Sequence, residues 1–563
     1  MPFAFLLKYP WGLYDESLRK RLTPESNEIS SNWPLIFATS SAVSAFRIKN
    51  RRVFPQIEGL PFKWDDFTLN FYTMPSVTEL ERQTMVLKLA DAKGTESDYP
   101  LNLSHSVARP RLNNLGVFQE DNLEADRLTE LLKTMFAVVE DLIGSNNGSS
   151  NGRQSVSKSV RISWEQIAYK MLDAKEDSAD PQKDLIVHHA EKLKHTVTGT
   201  AERPKKVLKR IRRQIPVSRI QELDSSCLTS YIRRPGRSAA EKAGPRQTLL
   251  GVDREETFNT VENRVLKDFL ERSAFIAQVY LRAFSRYKNG ARYRLVNQYG
   301  IACRRLSRSE VFNKVSSIVS RPTPNYVLLF DPAYHKIWLA YEELLKQNKK
   351  EDDAWRWQSR LWADICRIVI HSALYWVAPQ EGGVPAISPI IFKTEQSRGR
   401  WSDEIPQTAF FAIKAGNVRV IIAPLDARCQ RDHPKIQQWQ RSLGPIMVLH
   451  IEECDNKNNR QASLLVWALH STGVSQPSLD EAVESASIAL EGCLADLKRY
   501  KDKRLLARGL VLQSNRDLAQ DCEPPYRSDL VTGIKYSTSN SCLTTAVQIV
   551  GDTISSRVME MFS

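Results

Sequence analysis

Near residue 385 the hydrophobic pattern of this 563-residue chain changes period. From 258 to about 376, in segments such as TFNTVENRVLKDFL, DPAYHKIWLAYEELLKQNKK and DDAWRWQSRLWADICRIVIHSALYW, apolar residues recur at spacings of three and four. Beyond it they alternate, as in QTAFFAIKAGNVRVIIAPLDARC, where Gly416–Asn417 marks a turn between two strands. A period near 3.6 places an apolar stripe on a helix, and a period of two places an apolar face on a strand. A chain that does both in succession has to pack helices against sheets, so the expected class is α+β and multidomain.

The rest of the chain divides by composition. Residues 1–143 read as a strand-rich amino-terminal domain closed by the amphipathic helix NLEADRLTELLKTMFAVVEDLIG, which Gly144 ends. Residues 144–160, rich in Gly, Ser and Asn, read as a flexible linker or surface loop. A basic mixed region (161–257) and a helical region (258–376) follow, and 377–563 reads as an α/β domain. In that last part HPKIQQWQRSLG suggests a short helix, PIMVLHIEE and ASLLVWALH suggest strands, and Ser478 with Glu481 opens a long helix as a capping box.

Charge narrows the choice of partner. Lys and Arg number 79 against 65 Asp and Glu, a net +14, which favours a polyanion. No apolar run approaches 20 residues and the apolar start MPFAFLLKYPWG lacks a basic leader, so the expectation is a cytoplasmic protein without a membrane partner. The eight cysteines are scattered without a C-x-x-C pair, which argues against a zinc knuckle and against a disulfide framework. His188, His189 and His195 form the only histidine cluster and read as a solvated helix end. No phosphate-binding G-x-x-x-x-G-K-[ST] string occurs, so the chain itself is not expected to hydrolyse nucleotide.

Two neighbouring segments concentrate the charge. RPKKVLKRIRR contributes Arg203, Lys205, Lys206, Lys209, Arg210, Arg212 and Arg213, and SYIRRPGR adds Arg233, Arg234 and Arg237. The first has the look of a solvated helical face, yet two such segments within about 20 residues are also suited to hold phosphates, contacts that bring affinity without sequence reading. Just after them, Asn259 is placed to cap a helix, with Glu262 three residues on. Val261, Val265, Phe269, Ile276 and Val279 are its expected buried face, and Asp268–Arg272 an i, i+4 pair. Asn263 and Arg264 are polar beyond what capping requires.

Metal-dependent phosphodiester cleavage needs acids converging on Mg²⁺ and usually a lysine. A common arrangement places one acid at the start of a hairpin's first strand and an acid-x-lysine triplet at the end of the next. The equivalent slots here hold Pro406–Gln407 and Asp426–Ala427–Arg428.

NTVENRVLKDFL, DPAYHKIWLAYEELL and the hairpin ending in LDAR together resemble the McrC-like proteins, over roughly residues 200 to 450. That resemblance implies a mixed amino-terminal region, a carboxy-terminal PD-(D/E)XK (restriction-endonuclease-like) domain, and a McrB-type AAA+ NTPase partner in bacterial anti-phage defence. It makes Asn259, Glu262, Asn263 and Arg264 part of a family signature. It also implies a Mg²⁺ site at Asp426, with a helical acid for which Asp364 is the match. Where the family has aspartate and lysine, this chain has Gln407 and Arg428. An amide is a poor ligand for a hard cation, and arginine does not replace a compact ammonium. Asp403 and Glu404 stand near enough in sequence to substitute for the missing acid. Three expectations follow: a DNA-binding defence component whose nuclease-like domain is degenerate; an active Mg²⁺-dependent endonuclease using Asp426 with Asp403, Glu404 or Asp364; or a regulatory subunit that stimulates an AAA+ NTPase and touches no nucleic acid.

Overall fold

The structure is a computed structural model that describes all residues except 1–3, 26, 30–35, 41, 49–50, 54–55, 65, 74–75, 77–84, 91–95, 104–122, 145–159, 173–179, 182–183, 319–321, 378–389, 393–398, 404–410, 416–417, 430–433, 454–459, 472–475, 501–505, 519, 521 and 563. The Gly/Ser/Asn-rich stretch and the Gly416–Asn417 turn lie outside the described residues. Helices and several separate sheets coexist, as the two periods require. Two compact units form, one from residues 179–347 and the other from 1–178 together with 348–563. Their boundaries fall inside the basic and helical regions, not at the shifts of composition.

The amino-terminal part contains β1 (Ala4–Leu7), β2 (Arg19–Arg21), β3 (Asn27–Ile29), β4 (Ile36–Thr39), β5 (Ala42–Ile48), β6 (Arg51–Val53), β7 (Gln56–Trp64), β8 (Phe67–Thr73), β9 (Met85–Ala90) and β10 (Glu96–Leu103). They make two five-stranded sheets, ordered β2-β1-β4-β8-β7 and β3-β10-β9-β5-β6. The helices α1 (Leu123–Gly144) and α2 (Trp164–Leu172) follow, with the short β11 (Val160–Ile162) between them.

The central unit opens with α3 (Leu185–Glu202). It continues through β12 (Val207–Pro216), α4 (Ser225–Arg233), α5 (Ala239–Ala243), β13 (Thr248–Thr257), α6 (Val261–Ala283), α7 (Ala291–Ser307), α8 (Glu310–Asn313) and α9 (Tyr326–Phe330) to the start of α10 (Pro332–Arg356). On α6, Val265, Leu266, Phe269, Leu270, Ala274, Ala277 and Tyr280 are buried, whereas Val261 is exposed and Ile276 only partly covered. The stripe is therefore shifted by about one position from the expected one. At Gly300 of α7 a Cβ would lie 2.8 Å from Ala277 Cβ, so the glycine lets the two helices approach closely. Arg272 Nε donates to Asp268 Oδ2 at 2.7 Å, the expected i, i+4 pair, and Tyr341 OH donates to the same oxygen at 2.6 Å.

The carboxy-terminal part contains α11 (Gln358–Val377), β14 (Ile390–Phe392), β15 (Phe411–Ala415), β16 (Val418–Asp426), α12 (Gln438–Ser442), β17 (Met447–Glu453), β18 (Gln461–Leu469), α13 (Leu479–Tyr500), β19 (Leu506–Ser514), β20 (Tyr526–Arg527), β21 (Val531–Tyr536) and α14 (Asn540–Phe562). Seven of these strands form one sheet, β15-β16-β17-β18-β19-β21-β20, antiparallel as far as β18 and parallel from β18 through β19 to β21. Alternate residues face opposite layers: Leu464, Val466, Leu510 and Leu512 join the core that includes α11 and α14, while Leu465, Trp467 and Val511 join α13 on the other side. With both faces covered, the central strands read as nearly continuous apolar runs. Trp11, in the connection between β1 and β2, packs edge-on against Trp467 at 5.1 Å and donates through Nε1 to Ser485 Oγ at 3.0 Å. Of the tryptophans on α10 and α11, Trp338, Trp355, Trp357 and Trp362 are buried and Trp376 is partly buried.

Candidate functional site

The nuclease-like slots converge, but they are filled. Asp364 lies midway along α11, and Arg367 is one turn on, both inside an otherwise apolar stretch whose faces are buried on several sides. Asp426 ends β16 and Arg428 follows two residues later. Arg428 Nη1 reaches Asp364 Oδ1 at 2.6 Å, and its Nη2 reaches Asp426 Oδ2 at 3.1 Å. Arg367 Nη1 lies 3.3 Å from Asp364 Oδ1, and its Nε makes a charge contact of 3.4 Å with Asp426 Oδ1. The remaining acceptor capacity is also used. Asp364 Oδ2 faces the backbone N–H groups of Trp401 and Ser402 at 3.3 and 3.2 Å, and Asp426 Oδ1 accepts from the Arg428 N–H at 2.9 Å.

The result is a buried, formally neutral quartet of two carboxylates and two guanidinium groups. Burial by itself pushes the Asp426 carboxyl up, but the adjacent Arg428 and Arg367 outweigh it and hold the group well below the usual carboxylate range. Mg²⁺ requires a cluster of unshared oxygen lone pairs. These four oxygens already receive donors, and two fixed positive charges stand where a cation would have to enter, so the residues present do not fit the metal that the resemblance implied. Among the described residues no group of three His, Cys, Asp or Glu side chains could hold one. Asp403 lies beside this cluster in the chain, its N–H donating to Ile391 O at 2.7 Å, whereas Glu404 and Gln407 lie outside the described residues. Arg367 was missed from sequence. The available signal was a lone arginine in the run WADICRIVIHSALYW, where a buried charge demands a buried partner.

One turn beyond Arg367, His371 stacks on Trp164 at 4.7 Å and is fully buried, which pushes its pKa down to about 4. His470, enclosed between Ser514 and Gln358, is pushed down to about 3, again by burial. A histidine whose folded pKa is depressed stabilises the protein above its unfolded value, and that contribution is lost as pH falls. Between about pH 6.5 and 4 the unfolded chain gains two protons that the folded chain refuses, so stability should fall by up to about 2–3 kcal/mol per pH unit across that window. Urea midpoints measured from pH 7 to pH 4 should show the decline, and His371→Phe should reduce it by about half, leaving the His470 contribution; a pH-independent midpoint would contradict it.

The basic segments are placed differently from expectation. RPKKVLKRIRR carries no helical face: Val207–Pro216 is strand β12, paired antiparallel with β13 along ten residues as an isolated two-stranded ribbon. The β-branched Val207, Ile211 and Ile215, four apart, share one side of the extended strand, where β-branched residues are favoured. All of β12 except Ile211 and Ile215 is exposed, on both faces. Between Arg203 and Thr257, fourteen Lys and Arg face six Asp and Glu, so this stretch carries +8 of the net +14.

Several of these cations have carboxylate neighbours: Lys205 with Asp331 at 2.6 Å, Lys206 with Glu256 at 2.8 Å, Arg210 and Arg254 with Glu222, Arg212 with Asp224, and Arg213 with Asp253. The cationic partners are close to half exposed or more, and such pairs contribute only about 0–1 kcal/mol each, so the cations exchange readily between carboxylate and phosphate. Lys209, Arg203, Arg233 and Arg237 are exposed. Arg234 is structural instead, its guanidinium donating to Thr248 O at 2.7 Å, to Lys242 O and to Gln214 Oε1.

The polar surplus ahead of α6 has a structural answer. Thr260, not Asn259, is the cap, its hydroxyl accepting from the Asn263 N–H at 3.4 Å. Asn259 instead bridges Ser316 and Arg264: its Oδ1 accepts from Arg264 Nε at 2.8 Å and from the Ser316 N–H at 3.2 Å. Glu262, buried, accepts from Asn325 Nδ2 at 2.7 Å, and Asn325 caps α9 by accepting from the Leu328 N–H. Asn263 has no exposed surface; it donates to Lys205 O at 2.7 Å and Phe258 O at 2.9 Å, and accepts from Tyr334 OH at 2.8 Å. It thereby joins both strand ends at the ribbon's base to α6 and α10. Asn263→Ala would strip the Lys205 carbonyl of this donor and the Tyr334 hydroxyl of its acceptor, while Phe258 O keeps the Thr260 N–H, and thermal unfolding should register a loss of about 2–3 kcal/mol. Tyr334→Phe, which deletes two bonds, the one donated to Asn263 Oδ1 and the one accepted from the Lys205 N–H at 3.1 Å, should cost about 1–2 kcal/mol.

Of the histidine cluster, His188 and His195 are exposed, as a solvated end requires, and only His189 departs from it. His189 is buried on α3, its Nε2 3.3 Å from Glu343 Oε2, and burial lowers its pKa. Among the described residues no helix is long and apolar enough to cross a membrane. No curated protein matches this chain. A family model described as a domain of unknown function, DUF2357, matches residues 156–341, about a third of the chain, a span that takes in the ribbon, the Asn263 hub and α9 but stops short of Asp364 and Asp426.

Proposed function

We propose that the chain is a DNA-binding component of a prokaryotic anti-phage defence system, resembling the McrC-like proteins, in which the ribbon holds phosphates and the nuclease-like domain does not cut. The observation that carries the binding half is the ribbon itself: a ten-residue pairing in which all of β12 except Ile211 and Ile215 is exposed, in a stretch holding most of the chain's excess positive charge. The exposed cations of such a ribbon suit the phosphates of a DNA backbone.

The α11 helix, the antiparallel strands β15 to β18, the crossover helix α13 and the parallel β19 support a restriction-endonuclease-like arrangement for the carboxy-terminal sheet. The arginine-filled quartet favours a non-cleaving version, since Asp364 and Asp426 serve the fold. A cut, if the system makes one, then comes from a partner, and an AAA+ NTPase is the partner that the resemblance suggests. Mixing purified protein with labelled duplex in the presence and absence of Mg²⁺ or Mn²⁺ tests both halves at once. Salt-sensitive binding without cleavage is the expected result. Metal-dependent cleavage would overturn the non-cleaving half, and absence of binding at low salt would overturn the other and leave the regulatory-subunit reading in its place.

A further inference from the structure

Beside the base of the ribbon, α9 presents an arrangement that duplex binding does not use. Its sequence YVLLF buries Leu328 completely, yet Tyr326 is 75% exposed and Phe330 65% exposed, with ring centroids 4.6 Å apart. Two large aromatic faces held together in water are costly to leave uncovered. They are also held in place, because Asn325, which caps this short helix, is gripped by the buried Glu262.

The residue after Phe330 is Asp331, which pairs with Lys205 at 2.6 Å on the edge of an open groove of about 510 Å³. Arg203, Lys205, Lys336 and His195 line that groove, with Asp331 the one carboxylate among its lining residues. The two rings do not line the groove itself but adjoin it through Asp331, the residue after Phe330, and cations joined in this way to aromatic faces match a single polynucleotide strand: the backbone follows the charges while unstacked bases lie on the rings. A duplex keeps its base faces stacked internally and has nothing to offer Tyr326 and Phe330. A protein partner would gain from the rings but not from the excess of cations.

We propose that the groove and the Tyr326–Phe330 pair form a binding site for single-stranded DNA, with one or two bases stacked on the rings and the adjoining phosphates beside Arg203, Lys205 and Lys336. This takes DNA as the ligand from the reading above and rests on it in that respect. It gives Glu262 a role as a positioning residue, acting on the rings through Asn325.

The test is fluorescence anisotropy on the full chain with labelled oligo(dT), oligo(U) and a 20-base-pair duplex. It compares the unmodified protein, Tyr326→Ala/Phe330→Ala and Tyr326→Phe. The double variant should bind oligo(dT) about tenfold or more weakly, as loss of stacking predicts, while duplex binding changes by less than about twofold and Tyr326→Phe keeps both. Both rings are mostly in solvent, so circular dichroism should show an unchanged fold. Unchanged oligo(dT) binding in the double variant would overturn the site, as would an equal loss on duplex. Binding of oligo(U) with none of oligo(dT) would overturn the assignment to DNA. A chain that fails to bind duplex but loses oligo(dT) binding with the rings would sink the ribbon reading while supporting this one.

Discussion

Asp426→Ala should lower the free energy of unfolding by about 3–5 kcal/mol, because it leaves two guanidinium groups in the core with one carboxylate between them. The expectation separates the competing readings of this residue. A catalytic ligand in an open site is dispensable for stability, and its removal commonly relieves repulsion between neighbouring acids. Asp426 has no accessible surface to speak of and is surrounded by donors, so its removal should be felt by the fold first. Chemical denaturation of the unmodified protein and the variant gives the answer directly, and an unchanged midpoint would mean that the quartet contributes nothing. Arg428→Met should cost a similar amount. The pair Asp426→Asn/Arg428→Met should cost less than the two single changes together, since each removes the charge that the other strands. Arg428→Lys restores the acid-x-lysine triplet of an active nuclease, but the flexible ammonium cannot span both carboxylates as the guanidinium fork does. It is expected to destabilise without yielding metal-dependent cleavage.

The second large effect concerns the ribbon. Replacing Lys206, Lys209, Arg210, Arg212 and Arg213 by glutamine should weaken duplex binding by on the order of 100-fold at about 0.1 M salt, and should make the slope of log K against log salt shallower by about 3–5, one unit or slightly less per lost phosphate contact. The fold should survive, since each replaced side chain is exposed and its carboxylate partners stay solvated. Anisotropy titrations from 50 to 300 mM salt supply both numbers. Binding that weakens without any change of slope would show that the ribbon acts on shape, not charge. Binding that does not depend on salt at all would remove phosphate recognition from the account.

How far the sequence disclosed these features depended on whether local pattern or long-range pairing decided them. The helices α1, α6, α11 and α13 and the strands β16 to β18 were legible because their apolar period is dictated by a face that is buried wherever it packs. The ribbon was not, because a strand with both faces in water has no burial pattern to read; only its cross-strand partner 40 or so residues away makes it a strand. Asp364, Asp426 and Arg428 were legible as a set through their resemblance to nuclease slots, whereas their closure by Arg367 was not, since it rests on which side chains meet in space. The surplus at Asn259–Arg264 was visible as an anomaly but not interpretable: the bonds of Asn263 go to Lys205 and Tyr334, residues that no local rule connects.

The division of the chain sets an order of events during synthesis. The unit formed by 179–347 is continuous, while the other is assembled from segments on either side of it. Trp11 and Ser485, bonded to each other in the finished protein, are 474 residues apart. At ribosomal rates of about 5–20 residues per second, the first sheet emerges and waits roughly half a minute to a minute and a half for the strands and helix that cover Trp11. During that interval the central unit can already close, while Trp11, between β1 and β2, lacks the Trp467 and α13 neighbours that bury it in the finished protein. Truncated translation products ending near residue 350 should therefore be handled by chaperones through their first 100 residues, and release should coincide with arrival of the segment from β18 to α13.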